Sequence, residues 1–280
     1  MNATKSRREI DISKDNRYGL EIIDRIVGTI GRVGYSLFSI IIFLILWEAA
    51  PRIGIANPVF LPPFSKVFAA LWQLIISGSL FENVFVSLKR SAAGFALALL
   101  VAIPLGLVIG WFKKFERFID PLLQIFRQTS ALALFPVFIL VFGIGETSKI
   151  AIIFWGVQWP ILISTIEGVK NVDPILIKSA KSMGASPLTL FYKVIFPGAF
   201  PSIFTGIRLS ATTAIIVLVA AEMIGANAGL GFLIFQSQET YKVADMYASI
   251  VTIALIGFGL NYLLVLLQKN IMKWKQEPNV

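Results

Sequence analysis

No cysteine and no histidine occurs anywhere in the 280 residues. The missing cysteines exclude a disulfide framework, and the two absences together exclude thiolate and imidazole metal sites. They also rule out Cys–His and Ser–His nucleophilic pairs, since no imidazole base exists. Charge is scarce: Asp, Glu, Lys and Arg make up 15% of the residues, against about 25% in a soluble domain. No G-x-x-x-x-G-K-[ST] run is present, so the sequence offers no phosphate loop of that kind for ATP.

Apolar residues take up the space, at 56% of the chain, with a mean hydropathy of +0.79. Length alone admits two soluble domains. The apolar residues, however, gather into runs of the length a bilayer needs, about 17–25 residues. Six such runs lie at 33–50, 91–112, 127–146, 149–167, 204–225 and 246–268. They predict an all-α polytopic membrane protein with six transmembrane helices. Glu48 interrupts the first near its end, while Arg208 and Glu222 flank the fifth. Long side chains at helix ends reach the interface. Pro104, Pro136 and Pro160 fall inside runs, which membrane helices tolerate when neighbours re-satisfy the backbone.

The net charge of +9 does not point to nucleic acid, because the basic residues sit between the apolar runs. With the N-terminus in the cytoplasm, 19 of the 25 lysines and arginines fall on the cytoplasmic side. That bias predicts cytoplasmic termini and a multi-pass protein of a bacterial- or archaeal-type plasma (inner) membrane. The chain then divides into a cytoplasmic arm (1–32), a first span (33–50), an outer loop (51–86), a core (87–270) and a cytoplasmic tail (271–280). The arm has mixed charge and no cleavage pattern of a signal peptide. Leu20, Ile23, Ile26, Val27 and Ile30 recur in it at helical spacing, which fits a helix on the inner membrane surface or a frayed, topology-setting tail.

The longest cytoplasmic connection, 167–203, carries the strongest local signals. Asp173 before Pro174 is an N-cap followed by proline at the first helical position. Gly184 suits a left-handed helix end, Ser186-Pro187 restarts a helix, and Pro197 is expected to stop it. Two short helices joined at glycine are predicted. Ala180, then Gly184 after three intervening residues, then Val194 and Phe196-Pro197 resemble the loop of ABC-importer permeases. That family pattern reads Glu-Ala-Ala, three residues, Gly, nine residues, Ile, any residue, Leu-Pro. Lys178 stands at the Glu position and Ser179 at the first Ala. The resemblance implies that Lys178, Ser179, Ala180, Gly184, Ala185, Ser186, Val194 and Pro197 form the loop that seats in a cleft of an ATPase subunit. Read from spacing alone, the same segment is an amphipathic helical hairpin at the membrane surface.

The similarity continues through Leu61-Pro62-Pro63, Ser87-Leu88-Lys89-Arg90, Gly94-Phe95, Pro104-Leu105-Gly106 and Ala133-Leu134-Phe135-Pro136. It extends to Phe142-Gly143-Ile144-Gly145, Ala221-Glu222-Met223-Ile224-Gly225 and Gly229-Leu230-Gly231. These look like the sulfonate, nitrate and taurine branch. The resemblance implies the type I ABC-importer transmembrane-domain fold and a permease subunit without enzymatic activity of its own. It also implies no cofactor on this chain, with ATP and Mg used by two partner ATPase subunits. An extracytoplasmic binding protein would deliver a small anion, and a second copy of the chain or a paralogous permease would complete the pathway. Lipid is the remaining partner, and no nucleic acid is expected.

Gly94, Ala98, Ala102, Gly106 and Gly110 recur every fourth residue, a small-residue face that lets another helix approach closely. Polar groups inside spans are costly and therefore suspects for a pathway. Gln158, Ser210, Thr213 and Glu222 lead, with Thr165, Thr212 and Asn261 behind them. Interhelical or backbone hydrogen bonds are the plainer role for Gln158 and the hydroxyls, and an interfacial anchor for Glu222. No cluster of buried cations is apparent within a span, which argues against a tight oxyanion site in the membrane. A secondary transporter, a membrane-embedded enzyme, and an exporter or structural component are the rival classes. No inverted repeat or paired carboxylates supports the first two.

Overall fold

The computed structural model describes residues 38–272. The surface helix expected in the 1–32 arm and nearly all of the 271–280 tail lie outside these residues. Two compact units meet between Val67 and Phe68.

In the first unit, helix α1 runs through residues 38–52 and is followed by a turn to Leu61-Pro62-Pro63. Trp47 Nε1 donates to the Pro62 carbonyl at 3.2 Å. Glu48 accepts from the Ser65 N–H and hydroxyl, both at 2.9 Å, and pairs with Arg52. It thereby caps the start of α2 (Phe64–Ile76), where free N–H groups favour a carboxylate.

The second unit is built around α6 (Glu146–Lys170), flanked by α3 (Ser79–Trp111) and α9 (Phe196–Met223). Close approach follows from the predicted small-residue face. A Cβ on Gly94 would lie 2.6 Å from Ile153, and one on Gly106 2.7 Å from Thr165. Gly110 meets Val169 in the same way, while Ala98 and Ala102 are fully buried. On its other side α6 meets Gly206 of α9, whose added Cβ would sit 2.7 Å from Ser164. The seam is filled by Ile152, Ile153, Val157, Ile161, Ala214 and Val217.

Four helices among the described residues are long and apolar enough to cross a membrane: α3, α6, the continuous 187–223 stretch, and α11 (Val243–Ile271). The expected third run behaves differently. It starts in the last two residues of α4 (Lys113–Gln128), and its helical part is α5 (Ala131–Phe142), bent by 93° from α4. Twelve residues of α5 rise only about 18 Å, short of a bilayer core of about 30 Å. The cause is chemical: α4 carries Lys113, Lys114, Glu116, Arg117, Asp120 and Arg127 along one face, which favours contact with water or headgroups, so the pair forms a broken span or a re-entrant loop and not one straight helix. A short helix, α10 (Leu230–Glu239), closes the unit against α9 and α11.

Candidate functional site

Chemistry-bearing residues gather at the two ends of α6. At its C-terminal end, α7 (Pro174–Ser182) begins where Asp173 accepts from the Ile175 N–H at 2.8 Å. It ends at Gly184, φ +75°. Gly184 N–H donates to the Lys181 carbonyl at 3.0 Å, and Ala185 N–H to the Ala180 carbonyl at 3.1 Å. That pair of bonds is a Schellman motif, which requires the left-handed residue. Ser186 then caps α8 (Pro187–Leu190), its hydroxyl accepting from the Thr189 N–H at 3.2 Å.

The expected stop at Pro197 does not occur. Residues 191–195 form a π-helical turn in which Phe196 N–H reaches back to the Phe191 carbonyl, and the helix continues into α9. A proline ring presses on the carbonyl four residues earlier and offers no N–H. The widened π turn relieves both demands without breaking the helix.

The loop is anchored. Ala180, Leu190, Ile195, Ala199 and Ile203 share one apolar cluster with Val169 and Val172 at the end of α6, and Leu107 and Trp111 of α3 pack on it. Trp111 meets Phe191 edge to face at 5.4 Å. Lys178, Ser179, Gly184, Ser186 and Pro197 are exposed, and Ala185 and Val194 half-buried. Ile175, Leu176, Met183 and Leu188 also face outward, Met183 at 80% exposure.

At the opposite end, Glu222 is completely buried and fully bonded. Its oxygens lie 2.8 Å from the Ser87 hydroxyl, 2.9 Å from Arg90 Nη1 and 2.9 Å from the Gly231 N–H. Arg90 also donates to the Ala228 carbonyl at 2.6 Å. Its outer fork grips Glu146, Nε to Oε2 at 2.7 Å and Nη2 to Oε1 at 2.5 Å. Asn83 and Ser87 accept from the N–H groups of Gly229 and Leu230, at 2.7 and 2.8 Å. Side chains of α3 and α9 thus cap the start of α10. The glycines there are demanded by contact: a Cβ on Gly229 would collide with the Glu222 carboxylate, and one on Gly231 would sit 2.7 Å from Glu222 Cβ.

This clasp was not anticipated. Arg90 and Lys149 stand at the starts of apolar runs, yet each is 3% exposed inside the bundle. Arg90 lies four residues before Gly94, so extending the small-residue period one step toward the N-terminus would have placed it on the packed face.

The remaining polar candidates are spread along the helices. Ser210 donates across to the Val157 carbonyl of α6 at 2.7 Å, while Thr213 and Thr165 bond their own helices. Gln158 is buried on α6, and Thr212 and Asn261 are exposed. The structure does not bring Gln158, Ser210, Thr213 and Glu222 into one cluster. Among the described residues no group of three or more acidic residues is arranged to hold a metal.

Residues 102–276 match the family of binding-protein-dependent transport system inner membrane components. A Methanocaldococcus jannaschii protein described as an ABC transporter permease is 39% identical over 83% of this chain and 89% of its own. The taurine transport system permease TauC of Escherichia coli K12 is 33% identical over 88% and 91%. Among solved structures, an inward-facing methionine ABC transporter matches with a TM-score of 0.60 over 72% of this chain and 98% of that one. Its identity of 19% makes this a likeness of fold. Apolar spanning helices, the glycine-jointed loop and the extent of these matches lead to one assignment: the chain belongs to the binding-protein-dependent transport inner-membrane components, as a multi-pass permease subunit of an ABC importer.

Proposed function

We propose that the chain carries a small sulfonate or similar anion inward, driven by two separate ATPase subunits that seat on the 174–195 loop, with a binding protein delivering the solute from outside. The observation that carries this reading is the loop's construction. Its inner face is continuous with the apolar seam of α3, α6 and α9, while Ile175, Leu176, Met183 and Leu188 stay outward. A push on those residues is therefore transmitted to the spanning helices the loop packs against. Lys178, in place of an acidic residue, sits on the exposed side and alters one contact with the ATPase without altering the cluster.

The taurine relative supports a solute that carries a sulfonate group, although taurine itself balances that group with an ammonium. Six spans with both termini cytoplasmic, the bent α4–α5 pair counting as one broken span, and a pathway formed with a second permease copy or a paralogue, complete the proposed topology. Gln158 and Ser210 on the α6–α9 seam, with Thr213 and Glu222, are the side chains proposed for the pathway.

Reconstitution with its ATPase and binding protein tests the reading. ATP-dependent taurine uptake is expected in wild type. Gly184→Val, which forces a branched residue to φ +75° at a cost of about 1–3 kcal/mol, should abolish both uptake and ATPase association. Uptake driven by an ion gradient and indifferent to Gly184→Val would instead establish a secondary transporter.

A further inference from the structure

Lys149 is a buried ammonium that no carboxylate among the described residues pairs with directly. Its Nζ donates to the carbonyls of Gly145 and Gly225 at 3.1 and 3.2 Å, and its residue is 3% exposed. An ammonium has three donors. No Lys149 ion pair within 4.0 Å occurs among the described residues. Both nearby acids are spent on the same guanidinium, Glu146 and Glu222 each binding Arg90. The placement adds to the imbalance, because Lys149 lies in the first turn of α6, where the helix dipole is positive and disfavours a cation. A buried charge in this position is costly unless something negative completes it.

The space for such a group exists. A cleft of about 680 Å³ opens beside Lys149, and its walls carry three cations, Lys89, Arg90 and Lys149, against one carboxylate, Glu146. Ile144, Ile150, Val86 and Ala93 supply the apolar remainder. A polar anchor deep in a largely apolar pocket is the usual form of a small-ligand site. Arg90 is held by two carboxylates and a carbonyl, so it shapes the wall, while Lys149 and the exposed Lys89 have charge to offer.

We infer that this cleft is a binding site for a small oxyanion bearing a short apolar tail, anchored by Lys149 and drawn in by Lys89. The inference rests on the proposed anion import for its place in transport. The binding itself is testable without transport.

Ethanesulfonate is the probe, titrated against the permease–ATPase complex in nanodiscs without the binding protein, with thermal stability as readout. Ethyl methyl sulfone, equal in shape but neutral, is the control. Saturable stabilisation by the sulfonate and none by the sulfone is expected. Lys149→Met should weaken the sulfonate's apparent affinity by about tenfold or more, the size of one lost charge-assisted bond. Lys149→Arg should retain binding, and Lys89→Gln should weaken it several-fold. Should Lys149→Met fail to assemble, the Arg and Lys89→Gln variants decide the matter.

No response in wild type, or an equal response in wild type and Lys89→Gln, would overturn the site and leave Lys149 a lysine satisfied by two carbonyls. Loss of binding-protein affinity in Lys89→Gln, with no effect of ethanesulfonate, would overturn it in favour of a carboxylate of that partner. Lys149-dependent sulfonate binding without ATP-driven taurine uptake would retain the site and defeat the import reading.

Discussion

The two ends of the α6 bundle are held by opposite kinds of force. At the Glu222 end, Arg90, Ser87 and Glu222 join the elements through directional bonds between charged or polar atoms, each under 3.0 Å. At the loop end, Leu190, Ile195, Ala199 and Val172 hold the elements by packing. Directional bonds are either made or broken within a fraction of an ångström. Apolar contact is non-directional and scales with buried area. A bundle that must move needs both, a latch at one end and a solid handle at the other.

Substitutions test that contrast. Glu222→Ala should be the most damaging, at about 3–5 kcal/mol, because it leaves Arg90 buried with half its compensation and the Gly231 N–H open. Thermal denaturation of the purified complex measures this. A paired Arg90→Met/Glu222→Leu replacement should recover part of the loss if the clasp contributes specificity more than net stability. Leu190→Ala should cost about 2–5 kcal/mol and show a graded loss of uptake per ATP hydrolysed, since the handle loosens without breaking. Gly106→Ala comes next, at about 1–3 kcal/mol, with the new methyl pressed onto Thr165. Met183→Glu should leave the melting temperature unchanged and weaken ATPase association, read by co-purification. Smallest is Glu116→Gln. Its bond to Lys170 at 2.6 Å is half-exposed, and solvent screening holds its contribution below about 1 kcal/mol.

Much of the loop end was readable because its signals are local. Asp173-Pro174, Gly184 and Ser186-Pro187 each specify a backbone bond within a few residues, and each forms where expected. The small-residue face of α3 was legible for the same reason, as a period along one helix. The clasp was not. Arg90 and Glu222 are 132 residues apart; Glu222 read alone is an interfacial anchor or pathway suspect, Arg90 a charge before an apolar run, and nothing local pairs them. The bend between α4 and α5 and the π turn before Pro197 also escaped. One depends on where an amphipathic face settles, the other on how a helix absorbs a proline.

Helix 187–223 joins the two ends in one piece. It starts at the Ser186 cap and carries Glu222 at its last turn but one residue. At 1.5 Å per residue it is a rod about 55 Å long. Pivoted near Gly206, where its backbone lies close against α6, it would act as a lever for the push proposed at the loop. A tilt of about three degrees displaces each tip by about 1.5 Å, enough to carry a 2.9 Å bond past the length at which it counts as one. Leverage of this kind lets a modest nudge on one side of the membrane be felt as an all-or-none event on the other.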